Sequence, residues 1–156
     1  GPARYTITCI LPPDLAQTCT LRSVISEGRD LLDTSLVGMS TNLRDVKVTL
    51  SDKKTQIAGS LQSGSGMPTN DYFVVAFSTD RTNWQPGSRR SLSARPATDG
   101  SFAFGDLPAG EYFIAALSDL DPLEWQDAAF LAQVVPAAIK VTLAEGEKKR
   151  QDLRVK

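Results

Sequence analysis

Residues 98–117 read Thr-Asp-Gly-Ser-Phe-Ala-Phe-Gly-Asp-Leu-Pro-Ala-Gly-Glu-Tyr-Phe-Ile-Ala-Ala-Leu, and this stretch restricts the fold more than any other. It encodes a turn, a short strand, a tight corner and a longer strand. Asp99-Gly100 is a hairpin-type pair, because Gly accepts positive φ without a Cβ clash. Phe102 and Phe104 alternate with small residues, which makes one face of a short strand apolar. Pro108-Ala109-Gly110 then turns the chain, Pro fixing φ and Gly supplying the unusual backbone angle. Tyr112 follows the corner, where its ring can pack inward and its hydroxyl can tie back to nearby backbone.

That placement of Tyr112 resembles the tyrosine corner of Greek-key sandwiches. The wider pattern Asp99-Gly100-x-Phe102-x-Phe104-x-x-Leu107-Pro108-x-Gly110-x-Tyr112 resembles the central signature of carboxypeptidase regulatory-like modules. These are transthyretin-like (prealbumin-like) β-sandwiches, common in tandem in bacterial envelope and secreted proteins. The resemblance covers residues 54–156. Ile57-Ala58-Gly59-Ser60-Leu61 matches the first strand, Tyr72 to Phe77 the second, and Ile139 to Leu143 with Asp152 to Val155 the closing hairpin. It implies an all-β, Greek-key sandwich and an extracytoplasmic setting: periplasm, cell surface or secreted. It brings no catalytic residue with it.

Composition narrows the function classes. At 156 residues, 41 % hydrophobic and 22 % charged, the chain has material for an ordinary globular core. Seventeen Lys and Arg against eighteen Asp and Glu give −1, without the basic excess that nucleic-acid binding requires. No apolar run approaches the roughly 18 residues of a membrane-spanning helix. Histidine is absent, which excludes Ser-His-Asp and Cys-His catalysis and removes the commonest transition-metal ligand. Two cysteines alone cannot build a thiolate zinc site, so the expectation is no metal and no cofactor.

Along the chain, Gly1-Pro2 reads as the remnant of a cleaved tag. Tyr5 to Leu11 alternates as a strand, Pro12-Pro13-Asp14 breaks it, and Cys19, Leu21 and Ile25 share a face in the next. Cys9 and Cys19 then sit symmetrically about the turn, which predicts a disulfide contributing about 2–3 kcal/mol for so short a loop; two buried thiols are the alternative. Glu27-Gly28 is a turn, and Val46, Val48 and Leu50 alternate with Lys47 and Thr49 on a half-exposed strand. Tyr72 to Phe77 is apolar on both faces, as a central strand should be. Asp121-Pro122-Leu123-Glu124 has the signals of a helix start, and Trp125, Ala128, Leu131 and Val135 continue at helical spacing across a sandwich edge or end until Pro136. Lys47-Val48-Thr49-Leu50 returns as Lys140-Val141-Thr142-Leu143, an echo that suits a tandem array. Residues 3–53 therefore read as an N-terminal strand region, either the end of a preceding tandem module or strands borrowed by the present one, and residues 54–156 as the sandwich, with one short helix before a C-terminal hairpin.

Three groups of residues have a functional reading. Arg81, Arg89 and Arg90, with Arg95, lie around Trp84 and could hold an anionic or sugar ligand by guanidinium forks and stacking; the plainer reading has Trp84 plugging the sandwich end. Asp99, Asp106, Asp119 and Asp121 each have a turn or capping role, and no Asp-x-Asp-x-Asp loop supplies the six to eight oxygens of calcium. Lys47 or Lys140 would need to lie in the core, beside a carboxylate, to cross-link, and strand alternation turns both outward. The expected function is a non-catalytic module of a larger protein, a spacer or protein-interaction domain. Its partners are neighbouring domains of the same chain, another envelope protein or a polysaccharide, and not nucleic acid. The rival is a carbohydrate-binding module stacking sugars on Trp84, Trp125 and Tyr72; an enzyme relying on Asp119 and Asp121 comes third.

Overall fold

The computed structural model describes residues 4–5, 10–33, 36–37 and 44–155. The chain divides into two compact units, Gly1–Lys54 and Thr55–Lys156.

In the first unit β1 (Arg4–Tyr5) is followed by α1 (Pro13–Thr18), β2 (Thr20–Ser26), β3 (Arg29–Asp30), β4 (Leu36–Val37) and β5 (Lys47–Ser51). β1 pairs antiparallel with β4, and a second sheet has the order β3-β2-β5. Glu27 and Gly28 both take positive φ, 52° and 77°, the geometry of a two-residue turn matched to strand twist. The Asp30 carboxylate accepts from the N–H groups of Val24 and Leu32, both at 3.1 Å, and ties the hairpin. Among the described residues of this unit, Val24 and Leu31 form a buried cluster, with Leu21 and Leu32 against it.

Two expectations are corrected here. Pro12-Pro13-Asp14 does not turn one strand into the next; Pro13 opens α1, where its fixed φ suits the first helical turn and its missing N–H costs nothing. Cys19 consequently caps the helix instead of lying on a strand face, and its thiol is free. Cys9, the other half of the expected disulfide, lies outside the described residues. The second correction concerns β2. A bulge between Leu21 and Ser23 shifts the register, so Leu21 (opposite Leu50) shares a face with Val24 (opposite Val48), and Ile25 turns to the other side.

The second unit contains β6 (Gln56–Gln62), β7 (Phe73–Ser78), β8 (Ser91–Ala94), β9 (Ser101–Phe104), β10 (Gly110–Leu117), α2 (Ala128–Val134), β11 (Ile139–Leu143), β12 (Lys148–Arg150) and β13 (Leu153–Arg154). One sheet has the order β11-β10-β7-β8 and is antiparallel throughout. In the other, β6 pairs antiparallel with β9 and parallel with β12 and β13. Their inner faces share one core: Ile57, Leu61, Phe102, Phe104 and Leu153 against Val74, Ala76, Tyr112, Ile114, Val141 and Leu143. This is an all-β sandwich. β7 lies between β10 and β8 and is buried on both faces. Val74 and Ala76 point into that core, and Val75 and Phe77 into a second one with Trp84, Ala115, Trp125, Leu131 and Val134.

The helix begins later than its sequence signals suggest, because Asp121 caps a turn of its own. Its carboxylate accepts from Leu123 N–H at 2.9 Å and its carbonyl from Trp125 N–H at 3.0 Å. α2 starts at Ala128 and lies on the outer face of the four-stranded sheet, not across an edge. Nor do the last strands pair with one another as a hairpin. After β11 the Glu145-Gly146 turn carries the chain to the opposite sheet, where β12 and β13 run parallel to β6. Gln151 and Asp152 interrupt that pairing. The Gln151 N–H still donates to the Ala58 carbonyl (2.8 Å), and the Asp152 carboxylate accepts from the Ser60 N–H (2.9 Å). Gly59 lies under this interruption, and any Cβ there would overlap the Gln151 carbonyl.

Candidate functional site

The Trp84 loop follows directly from the end of β7. Asp80 caps a single 3-10 turn, Arg81–Asn83, accepting from Thr82 N–H (3.0 Å) and from the Thr82 hydroxyl (2.7 Å). The Thr82 hydroxyl and N–H together hold the Asp80 carboxyl below its ordinary value. The turn swings Trp84 back over the sheet. Its Nε1–H donates to the Ser78 carbonyl at 2.6 Å, and its ring meets Phe77 edge-on with centroids 5.7 Å apart. Arg81 covers the indole, its guanidinium carbon 5.1 Å from the ring centroid. Trp84 is 6 % exposed and Trp125 8 %. Both indoles are packing elements of the outer core, and Tyr72 packs against the inner one.

The arginines do not converge as their spacing suggests. Arg81 stays with Trp84. Arg90 is half-buried and reaches the corner loop, donating to the Ala109 carbonyl at 3.3 Å. Arg89 is half-buried. Arg95 lies at the other end of β7, donating to the Asn70 carbonyl at 3.2 Å and covering the Phe73 ring at 5.3 Å. A six-residue strand is roughly 20 Å long, so Arg95 and Arg81 cannot grip one small ligand. Two members of this site gave no local signal. Gln126 accepts from Gly87 N–H (3.0 Å) and donates to the Ser91 carbonyl (3.3 Å), fastening the loop 39 residues before it. The Ser91 hydroxyl is buried and has no hydrogen-bond partner among the described residues.

The corner residues gather as one unit. Tyr112 is fully buried and its hydroxyl donates to the Pro108 carbonyl at 2.7 Å. Gly100 takes φ 82°, with its N–H on the Ala97 carbonyl at 2.8 Å; a Cβ there would lie 2.6 Å from the Leu61 carbonyl oxygen. Asp99 accepts from the Ser101 hydroxyl (2.6 Å) and N–H (3.0 Å), which lower its pKa. Gly110 has φ 152°. Asp119 accepts from the adjacent Leu120 N–H and Asp121 caps its own turn, and no three metal-ligating side chains gather among the described residues. Lys47 and Lys140 are exposed, Lys140 lying 3.9 Å from Glu111. Away from the Trp84 loop, a cleft of about 400 Å³ opens between β10, the start of β11 and β13, lined by Ile114, Ala116, Ala138, Ile139 and Val155 among others.

No protein-family model matches the chain, and no curated protein matches it. Solved structures with a distant likeness include BcpA, the major pilin subunit of Bacillus cereus (TM-score 0.44, 10 % identity, 80 % of this chain and 35 % of that one). The group B streptococcus pilus 2b backbone protein gives 0.43 and 14 %, over 78 % of this chain and 47 % of that one. A streptococcal ancillary pilin gives 0.44 and 13 %, over 99 % and 45 %. The chain thus spans less than half the length of each. Likeness at this level assigns neither a family nor a function. No helix among the described residues is long and apolar enough to cross a membrane.

Proposed function

We propose that residues 55–156 form a non-catalytic module of the carboxypeptidase regulatory-like kind, within a larger extracytoplasmic protein. There it acts as a spacer or as a surface for protein contacts. The observation that carries this reading is the fate of the indoles. A sugar-stacking module needs aromatic faces in solvent, whereas Trp84 and Trp125 are spent on the outer core and the Trp84 N–H is already bonded. Arg81, which could have gripped an anion, covers the indole instead. Neighbouring domains of the same parent chain are the first partners to expect, and a second envelope protein the next. Titration with a panel of polysaccharides, followed by tryptophan fluorescence, tests this. The expected result is no saturable shift. A saturable shift that vanishes in Trp84→Ala, with the fold intact, would establish the carbohydrate-binding alternative.

A further inference from the structure

Charge is partitioned along the second unit. Residues 96–139 carry seven acidic side chains and no basic one. Four of the seven, Asp119, Asp121, Glu124 and Asp127, are exposed and flank Leu123, which is 87 % exposed. The turn that carries Leu123 is fixed from within. The Asp121 carboxylate accepts from the Leu123 N–H at 2.9 Å, and the Asp121 carbonyl accepts from the N–H groups of Glu124 (3.2 Å) and Trp125 (3.0 Å). Trp125 in turn is anchored in the outer core. A leucine presented by so rigid a turn loses little freedom when something covers it. Gln126 reaches the Ser91 carbonyl on β8, so the turn lies at the β8 edge of the sandwich.

The apolar cleft lies at the opposite edge, where β11 faces β13. Ile114, Ala137, Ile139, Leu153 and Val155 line it together with Arg154. Arg154 donates to the Gly64 carbonyl at 2.7 Å and has no carboxylate against it among the described residues. The other exposed cations on this edge, Lys140 and Arg150, have Glu111 at 3.9 Å and Asp152 at 3.1 Å. We propose that the Leu123 turn of one copy of this chain seats in the cleft of a second copy. Leu123 enters among Ile114, Ile139 and Val155, and Glu124 and Asp127 face Arg154. An apolar side chain then meets an apolar cleft, and the acidic rim of one copy meets the uncompensated cation of the other. β8 and β11 are the two ends of a four-stranded sheet, roughly 14 Å apart at about 4.8 Å per strand, so no copy fills its own cleft. A two-fold contact of the turn with itself would bring eight carboxylates together. Each seated pair instead leaves one turn and one cleft free, so the contact is head-to-tail and propagates.

The contact goes beyond the module reading above, which a wholly monomeric chain would leave standing. Sedimentation velocity of the full chain over rising concentration tests it, with circular dichroism as the check on folding. Dimers followed by larger species are expected, and added salt should weaken them. Leu123→Asp spoils the turn and Ala137→Glu the cleft, both at exposed positions, and each alone should raise the dissociation constant at least about tenfold. Mixed in equal amounts, the two variants should form a one-to-one dimer and nothing larger, because the mixture retains an intact turn on one chain and an intact cleft on the other. Arg154→Glu is a second cleft variant and takes the place of Ala137→Glu should that chain not fold. A chain that stays monomeric at every concentration overturns the proposal. So does an association that stops at two copies, one indifferent to Leu123→Asp, or a mixture of turn and cleft variants that stays monomeric.

Discussion

Tyr112 is the residue on which the corner closes. Its ring is fully buried between the sheets and its hydroxyl reaches the carbonyl four residues back. Removing the hydroxyl leaves the Pro108 carbonyl without that donor, so Tyr112→Phe should cost about 1 kcal/mol or more. Equilibrium denaturation is the measurement, and an unchanged midpoint with unchanged slope would sink the assignment. Ser91 is the opposite case. Its buried hydroxyl has no partner among the described residues, so the desolvation of that oxygen is uncompensated. Ser91→Ala should be neutral or stabilising by up to about 1 kcal/mol, and a clear loss of stability would show that the hydroxyl has a partner. Gly59 is set by space alone. Gly59→Ala would push a methyl into the Gln151 carbonyl and should cost at least about 1–3 kcal/mol, the range for overpacking against a rigid neighbour.

At the scale of elements, the closing strand is held by an exchange of roles between side chain and main chain. Where β12 gives way to β13, the Asp152 carboxylate takes the Ser60 N–H that a continuous ladder would have paired with a carbonyl. That hydrogen bond, aided by Arg150 at 3.1 Å, holds the Asp152 pKa below its ordinary 3.8. Asp80 and Asp99 are lowered in the same direction by Thr82 and Ser101. A carboxyl with a depressed folded-state pKa contributes stability that is present above its unfolded value and lost as pH falls through the folded one. Denaturation midpoints should therefore be flat above about pH 5 and decline from about pH 4 downwards. Asp152→Asn keeps an oxygen for Ser60 but has no charge to lose, so part of that decline should disappear. An identical acid slope in the variant would remove Asp152 from the account. All three carboxylates are solvent-exposed, so each contribution is small.

On the scale of the whole molecule, the two units are unequally furnished. The second encloses two cores, one between the sheets and one beneath α2 and the Trp84 loop. Among the described residues of the first, the buried apolar cluster is Val24 and Leu31, with Leu21 and Leu32 against it. Local opening free energy follows buried apolar contact, so native-state hydrogen exchange should be slowest in β7 and β10, with β2 and β5 exchanging much faster. Equal protection in β2 and β7 would show that the first unit is covered by more than its own residues.

The Asp99–Tyr112 corner, the two-faced burial of β7 and the Glu27-Gly28 hairpin were all legible in the sequence. Each follows from interactions within a few residues, where proline, glycine and strand alternation leave few alternatives. The same local logic failed at Pro12-Pro13-Asp14 and at Asp121-Pro122, because proline suits a helix start and a turn equally well, and packing makes the choice. It failed again for Arg81 and Arg95, near in sequence but set at opposite ends of β7. Trp84 shows the limit most directly. Its sequence is compatible with a stacking platform and with a plug, and only the Ser78 carbonyl, the Phe77 ring and the Arg81 guanidinium around it decide for the plug. Closure of the sandwich was also beyond local reading. Whether the chain after β11 returns to β11 or crosses to β6 depends on which carbonyls remain unpaired, and that is settled only when both sheets are in place.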